Sequence, residues 1–531
     1  MSLNTAALLN RARYRYADRT ALIFEDRRWS YAEMDDDVNA LAAGLRAHGI
    51  GRGDRVAVLA MNLPEYLFLG VALAKLAAVM VPLNYRVHER ELLYMVEHSG
   101  AIAVAAEGTF AQTAQALATL PGIRLRLDLD GRDLATLDLG WLSVPRLIAT
   151  HSGQRVADEP VEAGELQRVL YTSGTTSRPK GARLTHGNVN ANIDVQVVEL
   201  ALTARDRILN FAPLYHVGGL DLPGYAIWFV GATMVLLRKF DAESIMETVE
   251  AEGITGMTMV ATMVHMIART PSSRSRDTST VKWLIFSQVN PTLFETTRQV
   301  FPNAALMEGY GLTETCSALT YLDMDHMRTK TGSAGRPVPW VDVRVVDERG
   351  LPVPTGEVGE IVARGAKVCD GYLDDPQASS QAFRDGWFHT GDVGRLDEDG
   401  YLFILDRLKD MIRSGGENVA SSEIETVIYE VPGVQEAAVI GVPHTRWVEV
   451  PAAFVLAGPG FDAAAVIAAC RSRLGGFKVP KAVFVIDEMP RNPTGKVLKR
   501  ELRARLGTLS PTWVDAREAA FISLPNSEAT Q

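Results

Sequence analysis

Tyr171-Thr172-Ser173-Gly174-Thr175-Thr176-Ser177-Arg178-Pro179-Lys180-Gly181-Ala182-Arg183-Leu184-Thr185 is the stretch around which the rest of the chain is arranged. Residues 168–171 read as the end of a buried strand, and the hydroxyl- and glycine-rich segment after them cannot continue it. A loop must follow. Gly174 and Gly181 permit close backbone approach, while Thr172, Ser173, Thr175, Thr176 and Ser177 offer hydroxyl and amide donors. Such a loop suits phosphate. Lys180 adds a point charge, and Pro179 stiffens its approach by fixing φ. A Walker A loop would end in Gly-Lys-Ser/Thr, whereas this one has Pro179-Lys180-Gly181, so a GTPase or ordinary ATPase is disfavoured. The other reading is a polar surface turn.

The same stretch resembles the phosphate loop of adenylate-forming enzymes, which include acyl-CoA synthetases, aryl-CoA ligases, luciferases and peptide-synthetase adenylation domains. Ser177 departs from it, standing where that family has glycine. The resemblance extends over about residues 14–506, with motifs in the family's order. It implies an α/β fold: a large N-terminal domain of two αβ sheet subdomains plus a small β-barrel, and a smaller, mobile α+β C-terminal domain. The expected division is residues 1–406, a hinge at 407–410, and residues 411–531.

Length agrees with that plan, since 531 residues exceed what a single core holds. Lys and Arg number 54 against 64 Asp and Glu, giving a formal charge of −10 without a long basic run, which disfavours a nucleic-acid partner. Cys316, Cys369 and Cys470 lie far apart and form neither a disulfide framework nor a zinc pattern. The first residues lack a secretory succession, so a cytoplasmic location is expected. The longest apolar run, residues 67–83, contains Lys75 and reads as a buried helix entering a strand.

Strand and helix patterns alternate from residue 14 to 100 and again through residue 286, as in a parallel or mixed sheet covered by helices. After a strand at 207–211 come Tyr215 and His216, which a strand's carboxyl end would turn toward a ligand crevice. On residues alone, a histidine beside aromatics is more often a packed structural one. The resemblance places both beside the acyl pocket and His216 next to the reacting carboxylate. Ser287-Gln288-Val289-Asn290 replaces the family's Gly-Gly-Ala-Pro, so Gln288 is expected to narrow or polarise the space between adenine and acyl group, with Gln288 and Val289 in the acyl pocket.

Met307-Glu308-Gly309-Tyr310-Gly311-Leu312-Thr313-Glu314-Thr315 suits a turn that lays Tyr310 against a planar ligand. The resemblance makes that ligand adenine, with Glu308, Gly309, Gly311 and Thr313 around ATP and Glu314 and Thr175 toward Mg²⁺. It gives Asp392, in Thr390-Gly391-Asp392, to the ribose hydroxyls, Arg407 to ATP, Lys409 to the hinge and Lys496, in Thr494-Gly495-Lys496, to catalysis. It puts Gly415, Gly416, Glu417, Trp447, Phe477 and Lys478 beside CoA, although Val448 and Ala420 depart from its pattern there.

The implied reaction is ATP-dependent: a fatty, alicyclic or aromatic acid becomes acyl-AMP with release of pyrophosphate, then a thioester with CoA. Alternatives are a ligase that loads a carrier protein, and a non-catalytic nucleotide or acyl-CoA sensor. A homodimer is the expected assembly. Residues 507–531 match no pattern of the family.

Overall fold

The computed structural model describes residues 3–132, 134, 140–172, 178–286, 291–323, 325–414, 417–491, 497–519 and 522. Two sheets dominate the first three hundred residues. One has seven strands in the order Leu142–Ser143, Leu125–Asp128, Ala103–Ala106, Arg55–Leu59, Val79–Pro82, Leu166–Thr172 and Lys180–Thr185. All neighbours run parallel except the last pair, in which Thr172 faces Lys180 across an antiparallel ladder. The other has nine strands, of which Thr20–Phe24, Thr233–Leu236, Arg207–Asn210, Gly256–Thr258, Trp283–Phe286 and Ala305–Leu312 form a parallel centre.

Fully buried parallel strands should read as continuous apolar runs, and these do: Ala103–Ala106, Val79–Pro82 and Trp283–Phe286 are buried at every position. The largest apolar cluster draws Val56, Val58 and Leu170 from one sheet and Leu22, Ile208, Met234, Ile285 and Met307 from the other. Each such side chain taken out of water contributes about 1.5–3 kcal/mol. The helices that cover the sheets start where the sequence supplies caps. Ser30 with Glu33 and Thr185 with Asn188 form reciprocal capping boxes at helices Tyr31–Ala47 and His186–Glu199.

A five-stranded sheet follows, ordered Val341–Val346, Gly359–Gly365, Trp387–Leu396 and Phe383–Arg384, with Leu402–Arg407 on Trp387–Leu396. The fourth sheet has six strands: Glu417–Val419, Ile412–Ser414, Val448–Ala457, Ala482–Ile486 and Trp513–Val514 in order, with Val434–His444 on Val448–Ala457. Helices Ser421–Tyr429 and Ala463–Arg473 pack on it. Contacts group the chain into two compact units, one of residues 1–344, 362–389 and 399–402, the other of residues 345–361, 390–398 and 403–531.

Two local readings change. The stretch from Met307 is not a free turn: Ala305–Leu312 is a strand antiparallel to Ser317–Leu322, with a bulge after Tyr310 and a short 3₁₀ turn at Thr313–Thr315. Gly311 is needed for strand approach, since a Cβ there would lie 2.0 Å from the Ser317 carbonyl oxygen. Helix Ser421–Tyr429 starts without a side-chain cap. Ala420 holds the cap position, and the Asp406 carboxylate accepts from the Ser421 amide at 2.6 Å. Finally, part of the tail is structural, because Trp513–Val514 adds an edge strand to Ala482–Ile486. No described helix is long and apolar enough to cross a membrane.

Candidate functional site

Open parallel sheets place ligands beyond the carboxyl ends of their strands. In the first unit three of those ends carry the expected motifs, and an aromatic residue not singled out by the sequence lies beyond a fourth. Thr172 ends one strand, Tyr215 and His216 follow Arg207–Asn210, Tyr85 follows Val79–Pro82, and Thr313 and Glu314 follow Ala305–Leu312.

Lys180, Tyr372 and Glu314 form a connected set. Lys180 starts the strand opposite Thr172 and is half-buried, with its Nζ 5.3 Å from the centre of the Tyr372 ring. The Tyr372 hydroxyl donates to Glu314 Oε1 at 2.8 Å, with both side chains buried. Burial, reinforced by the adjacent Glu314 carboxylate, pushes the Tyr372 hydroxyl well above its ordinary range, so it stays a donor. A buried carboxylate with a tyrosine fixing one oxygen, near a lysine ammonium, can share a magnesium ion with a polyphosphate, because Mg²⁺ takes one or two carboxylates plus phosphate and water. The donor set fits that ion. Nothing local marks Tyr372, which lies 58 residues from its partner.

Glu308, Gly309, Tyr310 and Gly311 lie along the strand leading to Thr313, with Glu308 buried and Tyr310 half-buried. Gly309 faces Tyr321 in the ladder, where a Cβ would sit 2.9 Å from the Tyr321 ring. Tyr215 is buried edge-on to Tyr85, with ring centres 5.0 Å apart, and Tyr85 stacks on Phe110 at 5.2 Å. His216 is exposed rather than packed. Its Nδ1 accepts from the Gly218 amide at 3.0 Å and caps the short helix Val217–Leu220.

In the second unit, Asp392 is buried and its Oδ1 lies 2.7 Å from Arg407 Nε. The Leu408 amide donates to the Gly391 carbonyl at 2.8 Å, tying the strand that carries Asp392 to the segment expected to turn. Lys409 is exposed. Lys478 Nζ reaches both oxygens of Glu423 at 2.7 Å and lies 5.7 Å from the Phe477 ring centre. The Arg446 guanidinium sits 4.6 Å over Trp447, just before strand Val448–Ala457. Glu417 opens a strand opposite Ser414.

Ser173, Gly174, Thr175, Thr176, Gln288, Val289, Gly415, Gly416 and Lys496 lie outside the described residues.

Residues 9–373 match the family model described as AMP-binding enzyme, and residues 423–496 the AMP-binding enzyme C-terminal domain. A feruloyl-CoA synthase from Amycolatopsis sp is 40% identical over 483 residues, 90% of this chain and 94% of its own. The crystal structure of ATP-bound MatB from Rhodopseudomonas palustris superposes with a TM-score of 0.86 at 33% identity, covering 95% of this chain and 99% of that one. An o-succinylbenzoate CoA synthetase from Bacillus subtilis, in complex with its acyl-adenylate intermediate, superposes with a TM-score of 0.82 at 28% identity, covering 93% and 97%.

Proposed function

Because this chain belongs to the AMP-binding enzyme family, we propose that it is an ATP-dependent acyl-CoA synthetase acting on an aromatic acid. The observation that carries the reading is the set formed by Lys180, Tyr372 and Glu314 beyond the carboxyl ends of the strands.

A carboxylate is a poor electrophile, so it must first be activated. Its oxygen attacks the α-phosphorus of ATP, the bond to the β-phosphate oxygen breaks, and pyrophosphate leaves. Lys180 and the loop amides hold the β- and γ-phosphates, which is positioning and charge neutralisation rather than covalent chemistry. Glu314, oriented by Tyr372, would hold Mg²⁺ together with Thr175, and the ion would supply positive charge to the phosphate oxygens. Tyr310 backs the adenine, Asp392 accepts from the ribose hydroxyls, Arg407 contacts the nucleotide, and Lys496 meets the oxygens shared by carboxylate and α-phosphate.

A turn about Lys409, between residues 1–406 and 411–531, then withdraws Lys496 and admits the thiol. Its sulfur attacks the acyl carbon, AMP departs, and the thiol proton passes to water. Gly415, Gly416, Glu417, Trp447, Phe477 and Lys478 line the entry of CoA. The aromatic preference is supported by Tyr215, Tyr85 and Phe110, whose rings form a continuous array beside His216, and by the acids in the names of two similar proteins. Use of ATP and CoA fits a cytoplasmic setting.

The test is pyrophosphate release across aromatic, alicyclic and aliphatic acids, followed by thioester detection with free CoA or a carrier protein. The reading expects an aromatic acid to be best and free CoA to suffice. Thioester on the carrier protein alone would replace the second half-reaction.

A further inference from the structure

Cys316 and Ser317 follow Glu314 almost directly, and both adopt left-handed backbone, with φ of 47° and 78°. Neither is glycine, so the surroundings must hold them there. The Ser317 hydroxyl lies 3.3 Å from Asn192 Oδ1 and 3.3 Å from Gln196 Nε2, both on helix His186–Glu199. The Tyr321 hydroxyl donates to Gln196 Oε1 at 2.9 Å, and Asn192 Nδ2 donates to the Asp221 carbonyl at 2.9 Å. The Asp221 carboxylate pairs with Arg168, whose Nη2 lies 4.0 Å from Cys316 Sγ. Lys367 Nζ donates to the Ala318 carbonyl. Thus a ring of polar contacts closes around residues 316–317.

The ring is buried in the largest apolar cluster, where Arg168, Gln196, Cys316 and Lys367 are 0% and Asp221 2% exposed. It is an odd device for stability. Among the described residues, Arg168 Nε and Nη1 and Asp221 Oδ2 have no hydrogen-bond partner. Apolar side chains of similar volume would pack there as well or better. Position is what such a ring supplies. Arg168 lies on the strand that delivers Thr172, Asp221 closes the turn that begins at Tyr215 and His216, and Ser317 starts the strand after Glu314.

We propose that the buried ring of Arg168, Asp221, Asn192, Gln196 and Ser317 is a positioning device that holds the strained 316–317 turn and, through it, aims Glu314 at the magnesium ion of bound ATP. The inference rests on the role given to Glu314 above. It names no new catalytic residue: these side chains act through Glu314.

The experiment is calorimetric titration of the full chain with ATP, without acid, in the presence of Mg²⁺ and again in EDTA. Gln196→Leu, which is close in size but loses the contacts to Ser317 and Tyr321, is expected to cut the Mg²⁺-dependent gain in ATP affinity at least fivefold while leaving metal-free affinity within twofold. Arg168→Met should behave alike, and Arg168→Lys, which keeps the charge for Asp221, should stay within twofold of wild type. A folded Gln196→Leu protein with the wild-type gain overturns the proposal. Should that variant not fold, Ser317→Ala decides: at least a threefold loss of the gain supports the ring, and an unchanged gain overturns it. If wild-type ATP affinity itself ignores Mg²⁺, the role of Glu314 is wrong, an outcome distinct from failure of the ring.

Discussion

The Tyr372 hydroxyl donates to Glu314 Oε1 at 2.8 Å, in a buried contact between residues 58 positions apart. It fixes one oxygen of the carboxylate on which the metal reading depends. A hydrogen bond to a charged group contributes about 1.5–3 kcal/mol. Tyr372→Phe should therefore lower acid-dependent pyrophosphate release about tenfold or more, and Glu314→Gln about a hundredfold, measured at saturating ATP and acid. Full activity in Tyr372→Phe would detach the tyrosine from the site.

Asp392 is buried, and its Oδ1 lies 2.7 Å from Arg407 Nε. Asp392→Asn should raise KM for ATP about tenfold, the scale of one charge-assisted hydrogen bond, and leave KM for the acid unchanged. Wild type should prefer ATP to its 2′-deoxy analogue, and the variant should lose most of that preference. An unaltered preference would remove Asp392 from the ribose.

Val448 has φ of 70° and is 69% exposed, so a β-branched residue holds a left-handed conformation with little burial in return. Val448→Gly should stabilise the second unit by about 1 kcal/mol, since the strain relieved exceeds the entropy glycine adds to the unfolded chain. Urea unfolding followed by Trp447 fluorescence measures it, and a lower midpoint would show that the backbone is unstrained there.

Burial holds His186 down to about 4, and its Nδ1 accepts from the Thr5 amide at 3.2 Å. The folded form keeps the ring neutral while the unfolded chain takes up a proton near pH 6.5. Stability from this residue is thus complete above about pH 6.5 and falls by up to about 1.4 kcal/mol per pH unit down to about pH 4. His186→Gln should flatten that stretch of the melting-temperature profile. A parallel decline in both proteins would place the acid sensitivity elsewhere.

Periodicity carried the sheets because it is local. The alternation of strands and helices expected from residue 14 onward is present, as in Arg55–Leu59, Pro64–Lys75 and Val79–Pro82. Motifs carried the site's outline for the same reason, since Thr172 to Lys180 and Gly309 to Glu314 are short runs. What was not legible is pairing across distance. Tyr372 meets Glu314, and Arg168 meets Asp221, only after sheets assemble segments more than fifty residues apart. The packed histidine that composition favours at 216 is instead an exposed ring that accepts from the Gly218 amide, because composition cannot tell a packed ring from one that caps its own helix. The glycines of Ala305–Leu312 look like turn residues in the sequence, whereas Gly311 is there to let Ser317 approach.

The central claim is that the acid is activated on ATP before any thiol enters. The direct measurement is pyrophosphate release with an aromatic acid and no CoA, run on wild type and Lys496→Ala, with supplied acyl-adenylate and CoA as the second arm. The account predicts acid-dependent pyrophosphate from wild type, at least a hundredfold less from Lys496→Ala, and thioester from both when the adenylate is supplied. Pyrophosphate release that requires CoA, or an equal loss of both half-reactions in Lys496→Ala, would contradict it.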